Sequence, residues 1–138
     1  VYAFGASSIS QLDSAYSQNF KNAAKYIAEI EKNNLAVYRG YSVNKEQKIV
    51  RDVINSIMCN YYLDIEEIAS INNCNRQEVI RIIDFDSKKF EDFIFDGLLK
   101  IEKFKLSVFE KGRLFTRNIA MRFDPLINQK IGTYSNTI

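Results

Sequence analysis

Apolar positions recur along this chain at two spacings. Ala23, Tyr26, Ile27 and Ile30 form one stripe at helical spacing, with Asn22 placed as an N-cap and Asn33-Asn34 as the stop. A longer helix is predicted over Lys45 to Tyr61. At about 100° per residue, Ile49, Val50, Val53, Ile54 and Ile57 share one sector, and Lys48, Arg51, Asp52 and Asn55 lie opposite. Asp64-Ile-Glu-Glu67 and Asn75-Arg-Gln-Glu78 each set a cap residue three before a glutamate, which predicts short helices over 65–71 and 76–83 around an Asn72-Asn-Cys-Asn75 turn. A helix over Ser87 to Phe95 turns Phe90, Phe93 and Ile94 inward and stops at Asp96-Gly97. Leu98–Ile101 and Leu106–Val108 flank a Glu102–Lys105 turn as a β-hairpin. A last helix from Glu110 to Phe123 ends before Pro125, and the polar tail after Gln129 is expected to fray. At the start, Val1–Gly5 reads as a short buried strand with no sheet to join, followed by a small-residue loop, Ala6–Ser10. Leu35 to Val43 reads as extended. The expected fold is mainly α with one small β-hairpin, winged-helix-like, behind an orphan strand.

Composition narrows the function. With 138 residues, 46% of them apolar, the chain can bury a core but is too short for a complete (β/α)-barrel enzyme. It has no histidine, which excludes His-activated nucleophiles and zinc sites that need imidazole. Two cysteines, Cys59 and Cys74, cannot supply a four-thiolate cluster within the chain; as unreactive thiols they fit a reduced, cytoplasmic compartment. The charge-free stretch Val1–Leu12 is too short to span a bilayer. Glu66-Glu67 and Glu91-Asp92 are sequence neighbours pointing to different helix faces, and the five glycines are dispersed. No catalytic residue, resident metal or self-sufficient cofactor site is expected, nor a membrane span.

The net charge of +2 hides local excesses. Residues 39–51 hold four basic residues against one acid, 64–96 hold nine acids against four bases, and 100–122 hold seven bases against two acids. The two short helices and the hairpin match a winged helix-turn-helix, in which Arg76, Gln77 and Arg81 would face a DNA groove. The acidic excess over 64–96 opposes that reading, because such a surface must approach dense phosphates. Arg39, Arg51, Arg113 and Arg117 are the second candidate group. Arg113 and Arg117 are i,i+4 on the predicted last helix, sharing a face with Ala120 and Met121. An arginine on so apolar a helix needs an anion, either a structural carboxylate from 64–96 or a ligand carboxylate held bidentately.

Read together, some segments are more specific. They are Gly5-Ala-Ser-Ser-Ile-Ser10 with Gln18-Asn19, Arg39-Gly-Tyr41, Val53-Ile54 with Met58-Cys59, Leu63-Asp64, Asp96-Gly-Leu98, Gly112-Arg-Leu114 and Arg117-Asn-Ile-Ala-Met121-Arg-Phe-Asp124. In this order they resemble the C-terminal part of the oxygen-independent coproporphyrinogen III oxidases, over about residues 1–127. That family consists of radical S-adenosylmethionine enzymes of haem biosynthesis. A [4Fe–4S] cluster on an N-terminal Cys-x-x-x-Cys-x-x-Cys motif cleaves S-adenosylmethionine, and two propionates of coproporphyrinogen III become the vinyl groups of protoporphyrinogen IX. The resemblance implies that residues 1–20 are the last strand of a truncated barrel with its following loop, and 21–138 a covering domain, inactive alone. Its partner would be the N-terminal radical S-adenosylmethionine barrel of the same polypeptide. It further implies that Ala6, Ser7, Ser8 and Ile9 contact S-adenosylmethionine, and that Arg39, Tyr41, Arg113 and Arg117 contact substrate or the barrel. The cluster motif is not in this sequence, and the long helix carries Lys45-Glu46-Gln47 and Val50-Arg51 where the family usually has paired acids and two arginines.

Overall fold

The computed structural model describes residues 1–125, so the polar tail after Gln129 lies outside the described residues. The chain divides into two compact units, Val1–Asn44 and the part from Lys45 onward. About half of the described residues are helical, and the remaining regular structure is antiparallel sheet.

The first unit is a three-stranded sheet with one helix. Strands β1 (Ile9–Gln11) and β2 (Ala15–Asn19) are followed by α1 (Ala23–Glu31) and β3 (Val37–Ser42), in sheet order β1-β2-β3. In the pairing, Ile9 lies across from Gln18, Gln18 from Arg39 and Tyr16 from Tyr41, with a register shift after Gln18. The cap at Asn22 is as expected: its Oδ1 accepts the Lys25 amide at 3.0 Å. Asn33 takes the left-handed φ of 58° that ends the helix. The expected strand at Val1–Gly5 is absent. Val1 accepts the Gln11 amide at 2.9 Å and the Ala3 amide goes to Ser10 Oγ, so the segment lies beside β1 without a continuing ladder. Nor is it buried: Tyr2 and Phe4 are 78% and 88% exposed. The strand instead forms at Ile9–Gln11, overlapping the end of the expected Ala6–Ser10 loop, because β2 is there to pair with it. The division expected after residue 20 falls inside this unit, between β2 and α1.

The second unit runs α2 (Lys45–Asn60), β4 (Tyr62–Asp64), α3 (Ile65–Ile71) and α4 (Arg76–Ile82). A 3-10 turn, Ser87–Phe90, then leads into α5 (Glu91–Phe95), followed by β5 (Leu99–Glu102) and β6 (Lys105–Val108). A second 3-10 stretch, Glu110–Phe115, leads into α6 (Thr116–Met121). The hairpin forms as expected, but β4 joins it, giving a three-stranded sheet with β6 central. The protein therefore has two small sheets where one hairpin was expected. Both short helices are capped at the expected residues: Asp64 Oδ1 accepts the Glu66 amide at 3.0 Å and Asn75 Oδ1 the Glu78 amide at 2.8 Å. Ile49, Val53 and Ile57 of α2 are fully buried against Leu63, Ile65, Val79, Phe90, Leu106 and Ile119. The Phe123 ring meets Phe90 at 5.0 Å and stacks on Phe85 at 6.3 Å. Two details depart from the periodicity. Ile94 is 39% exposed rather than inward. The guanidinium side of Arg51 is largely covered, set beside Asp52 with Nε 3.7 Å from Oδ1, rather than facing solvent.

Candidate functional site

The first unit carries an open groove of ≈ 490 Å³ lined by Ile9, Tyr16, Ser17, Gln18, Arg39, Gly40 and Tyr41. Strand alternation explains its chemistry. Ile9 pairs with Gln18, Gln18 with Arg39 and Tyr16 with Tyr41, so these side chains share one face of the sheet. Tyr38 falls on the other face, where its ring lies 5.5 Å from that of Phe20. The groove face therefore offers two phenols, one aliphatic side chain and one guanidinium. Such a surface suits a flat apolar body bearing a carboxylate, with the rings contributing area and the arginine the charge.

The loop before β1 is pinned to this sheet. Gly5 and Ser7 take left-handed φ values of 102° and 63°; glycine adopts this freely, whereas serine does so at a cost. The Ser7 amide donates to the Phe20 carbonyl at 2.8 Å, Asn19 Nδ2 donates to the Gly5 carbonyl at 3.0 Å and the Gly5 amide donates to the Tyr26 hydroxyl at 3.2 Å. Gln18 spans from this loop to the groove. Its Nε2 donates to the Ser7 carbonyl at 3.3 Å, and its Oε1 accepts Arg39 Nε–H at 2.9 Å.

The expected site residues are thus partly assembled. Ile9, Arg39 and Tyr41 line one groove, and Ser7 is one hydrogen bond away from it through Gln18. Ser8 is committed internally, its hydroxyl donating to the Phe4 carbonyl at 2.6 Å. Ala6 is half-buried, while Ser7 and Ile9 are exposed. Arg113 and Arg117 do not share a helix: Arg113 belongs to the 3-10 stretch and Arg117 to α6. Both are exposed, so the premise that each is a buried guanidinium fails. The stretch before α6 is constrained at Gly112. A Cβ there would stand 2.1 Å from the Leu98 carbonyl oxygen, so the chain presses against β5's approach and winds tightly before α6 starts. Arg113 lies over the Tyr61 ring, 4.6 Å from its centroid, and Arg117 has no polar or ring partner among the described residues. Neither pairs with an acid of 64–96. Several of those acids are held by other cations: Glu66 by Arg76 at 2.6 Å, Glu78 by Lys45 at 2.9 Å and Asp92 by Arg122 at 2.8 Å.

The DNA-reading arrangement is not supported. Arg76 is engaged by Glu66 and lies over Phe104, and Arg81 is engaged by Glu46 at 3.2 Å, so two of the three residues assigned to the groove are already paired within the unit. Cys59 and Cys74 are free thiols, and burial raises the Cys74 thiol above its ordinary range, which keeps it protonated. Among the described residues no three Cys, Asp or Glu side chains come together to hold a metal, so these residues do not fit an iron–sulfur cluster. No described helix is long and apolar enough to cross a membrane.

Tyr16 and Gln18 of the groove had no role assigned from sequence. Ala15–Asn19 contains too little apolar alternation to read as a strand, although Gln18-Asn19 stood in the motif that carried the resemblance.

Comparison with known proteins agrees with the fold. No protein-family profile matches the chain. The solved structure of coproporphyrinogen III oxidase (HemN) from Escherichia coli, a radical SAM enzyme, superposes with a TM-score of 0.71 at 32% identity, covering 88% of this chain and 27% of that one. Among curated proteins, the oxygen-independent coproporphyrinogen III oxidase of Escherichia coli (strain K12) is 33% identical over 129 residues, 91% of this chain and 27% of that protein. That of Thermostichus vulcanus is 33% identical over 143 residues, 98% of this chain and 41% of that protein. The class these matches define is the radical SAM oxidases, to whose C-terminal portion this chain is similar. More particularly, the chain is homologous to the C-terminal part of the oxygen-independent coproporphyrinogen III oxidases. It spans between about a quarter and two fifths of the length of these relatives.

Proposed function

We propose that this chain is the covering C-terminal domain of an oxygen-independent coproporphyrinogen III oxidase, an enzyme that oxidatively decarboxylates two propionates of coproporphyrinogen III to give protoporphyrinogen IX in haem biosynthesis. The observation that carries the reading is the groove in which Arg39 sits between Tyr16, Tyr41 and Ile9, within a chain related over 91% of its length to such oxidases. The substrate is a macrocycle with four carboxylates, matching a surface of phenols and one guanidinium.

In this reading residues 1–20 are the edge that meets the N-terminal radical S-adenosylmethionine barrel, and 21–138 the covering part, tied together by the β2–β3 pairing. The helical part is winged-helix-like: the succession of α2, β4, α3, α4 and the β5–β6 hairpin, with β4 bonded to β6, supports that description. A [4Fe–4S] cluster and S-adenosylmethionine, when bound in the complete enzyme, supply the radical that abstracts hydrogen from the propionate side chain. Toward the nucleoside, this chain would offer the exposed Ile9 side chain and Ser7 hydroxyl, with Ala6 and Ser8 shaping the loop. Arg39 would hold a propionate that is not reacting, and Tyr41 would flank the ring. Arg113 and Arg117, both exposed on the second unit, would contact substrate or the barrel. The location in this reading is the cytoplasm. The chain alone would be inactive, because it holds no cluster ligands.

A chimera tests this. The C-terminal portion of the Escherichia coli relative is replaced by this chain, and protoporphyrinogen formation is assayed anaerobically. The chimera is expected to turn over and the isolated chain not to. Arg117→Ala in the chimera is expected to raise KM about tenfold, as for a lost charge-assisted hydrogen bond. A folded chimera that cleaves S-adenosylmethionine but forms no product would overturn the assignment.

A further inference from the structure

We infer that Gln18 is a positioning residue that fixes the direction of Arg39 and couples it to the Gly5–Ile9 loop. The inference deepens the proposed function and rests on it only for the identity of the ligand. Guanidinium nitrogens can only donate and a carbonyl can only accept, so the Gln18 amide has one orientation that serves both neighbours, with Oε1 toward Arg39 Nε at 2.9 Å and Nε2 toward the Ser7 carbonyl at 3.3 Å. With Nε–H occupied, Arg39 retains its two terminal nitrogens, which have no partner among the described residues. A carboxylate in the groove therefore meets the guanidinium end-on, through both terminal nitrogens, rather than along the Nε edge. The same amide holds the carbonyl of Ser7, whose φ of 63° is unfavourable for serine and persists only where neighbours fix it. Gln18 is also the residue at which the β2–β3 register shifts, so its backbone is set by the sheet on both sides. A carboxylate that pulls on Arg39 thus acts on the loop through one side chain.

Gln18→Met keeps length and volume but removes both hydrogen bonds; Gln18→Glu keeps the acceptor and loses the donor. The test uses the 138-residue chain labelled with 15N and coproporphyrin III as the tetracarboxylate probe. In the unaltered chain the Arg39 Nε–H signal is expected to be resolved and slow to exchange. In Gln18→Met it should collapse to the solvent-exposed position, and the Ser7 and Ile9 amides should shift with it. In Gln18→Glu the Arg39 signal should persist while the Ser7 amide still moves. Coproporphyrin affinity should fall about tenfold in Gln18→Met, and Arg39→Ala should add little to that loss, because both changes remove one unit. An unchanged Arg39 signal in Gln18→Met, or fully additive losses, would overturn the inference. If the unaltered chain binds no porphyrin, the proposed function is what fails, and the Arg39 and Ser7 signals alone decide the coupling.

Discussion

The two units hold themselves together by different means. From Lys45 onward the molecule has an apolar core fed by every helix, with Ile49, Val53, Phe90 and Ile119 fully buried. In Val1–Asn44 the single buried apolar residue is Ala36, and α1 buries none. That unit is instead organised by strand pairing and by side-chain to main-chain bonds from Gln18, Asn19 and Tyr26. The difference is functional as well as structural. In the well-packed unit Arg76, Arg81 and Arg122 are paired with acids, whereas in the poorly packed unit Tyr16, Tyr41, Ile9 and Arg39 line one groove. Packing and binding draw on the same side chains, and here they are divided between two parts of the chain.

The largest effect should come from separating the parts. The peptide 1–44 is expected to show no cooperative thermal transition, since a hydrogen-bonded sheet without a core does not repay its conformational entropy. Residues 45–138 should melt cooperatively, and circular dichroism on both pieces checks this. A sharp transition in 1–44 would show that the sheet is stable without burial.

Within the packed unit, Gly112→Ala should be the most damaging small change. The added methyl would stand 2.1 Å from the Leu98 carbonyl oxygen and 2.9 Å from Val108 Cγ1, and the first is backbone that cannot swing aside. A loss of upwards of about 3 kcal/mol in unfolding free energy is expected, read by urea titration. Gly40→Ala in the other unit meets only the Tyr16 carbonyl oxygen at 3.6 Å, an ordinary contact, and should change stability little.

A smaller effect concerns Asp64, which caps α3 and bonds to Lys105 at 2.8 Å across the β4–β6 pair. The hydrogen bond with the Lys105 ammonium, helped by the Glu66 amide, holds its carboxyl below the ordinary carboxylate range against a partial desolvation. A lowered folded-state value means that the stabilisation is complete above about pH 4 and is lost as pH falls through the folded value. Asp64→Ala should cost about 1 kcal/mol at neutral pH through the lost cap. Asp64→Asn keeps the cap and should lose only the acid-sensitive part. Melting curves from pH 7 down to pH 2 should show wild type and Asp64→Asn converging, and parallel curves would show that Lys105 contributes nothing.

What could be read from sequence follows how local each signal is. The caps at Asn22, Asp64 and Asn75 were legible because a cap is a contact between residues two or three apart. The buried face of α2 was legible because helical periodicity alone selects Ile49, Val53 and Ile57. The hairpin was legible from its turn, and the kinship from motifs spread along the chain. The first sheet was not. Its strand β2 has a mixed sequence, Ala15-Tyr-Ser-Gln-Asn19, and becomes a strand only because β1 and β3 pair with both its edges. The break between the 3-10 stretch and α6 was not legible either, since it depends on how closely Gly112 approaches Leu98 through space. Arg113 and Arg117 accordingly fall in different elements, and both are exposed rather than buried. Sequence by itself thus determined the helices before Glu110, their caps and the residue types available for a carboxylate. Tertiary structure decided which of them share a face, because strand register and backbone contact join residues such as Gln18 and Arg39 that lie far apart in sequence.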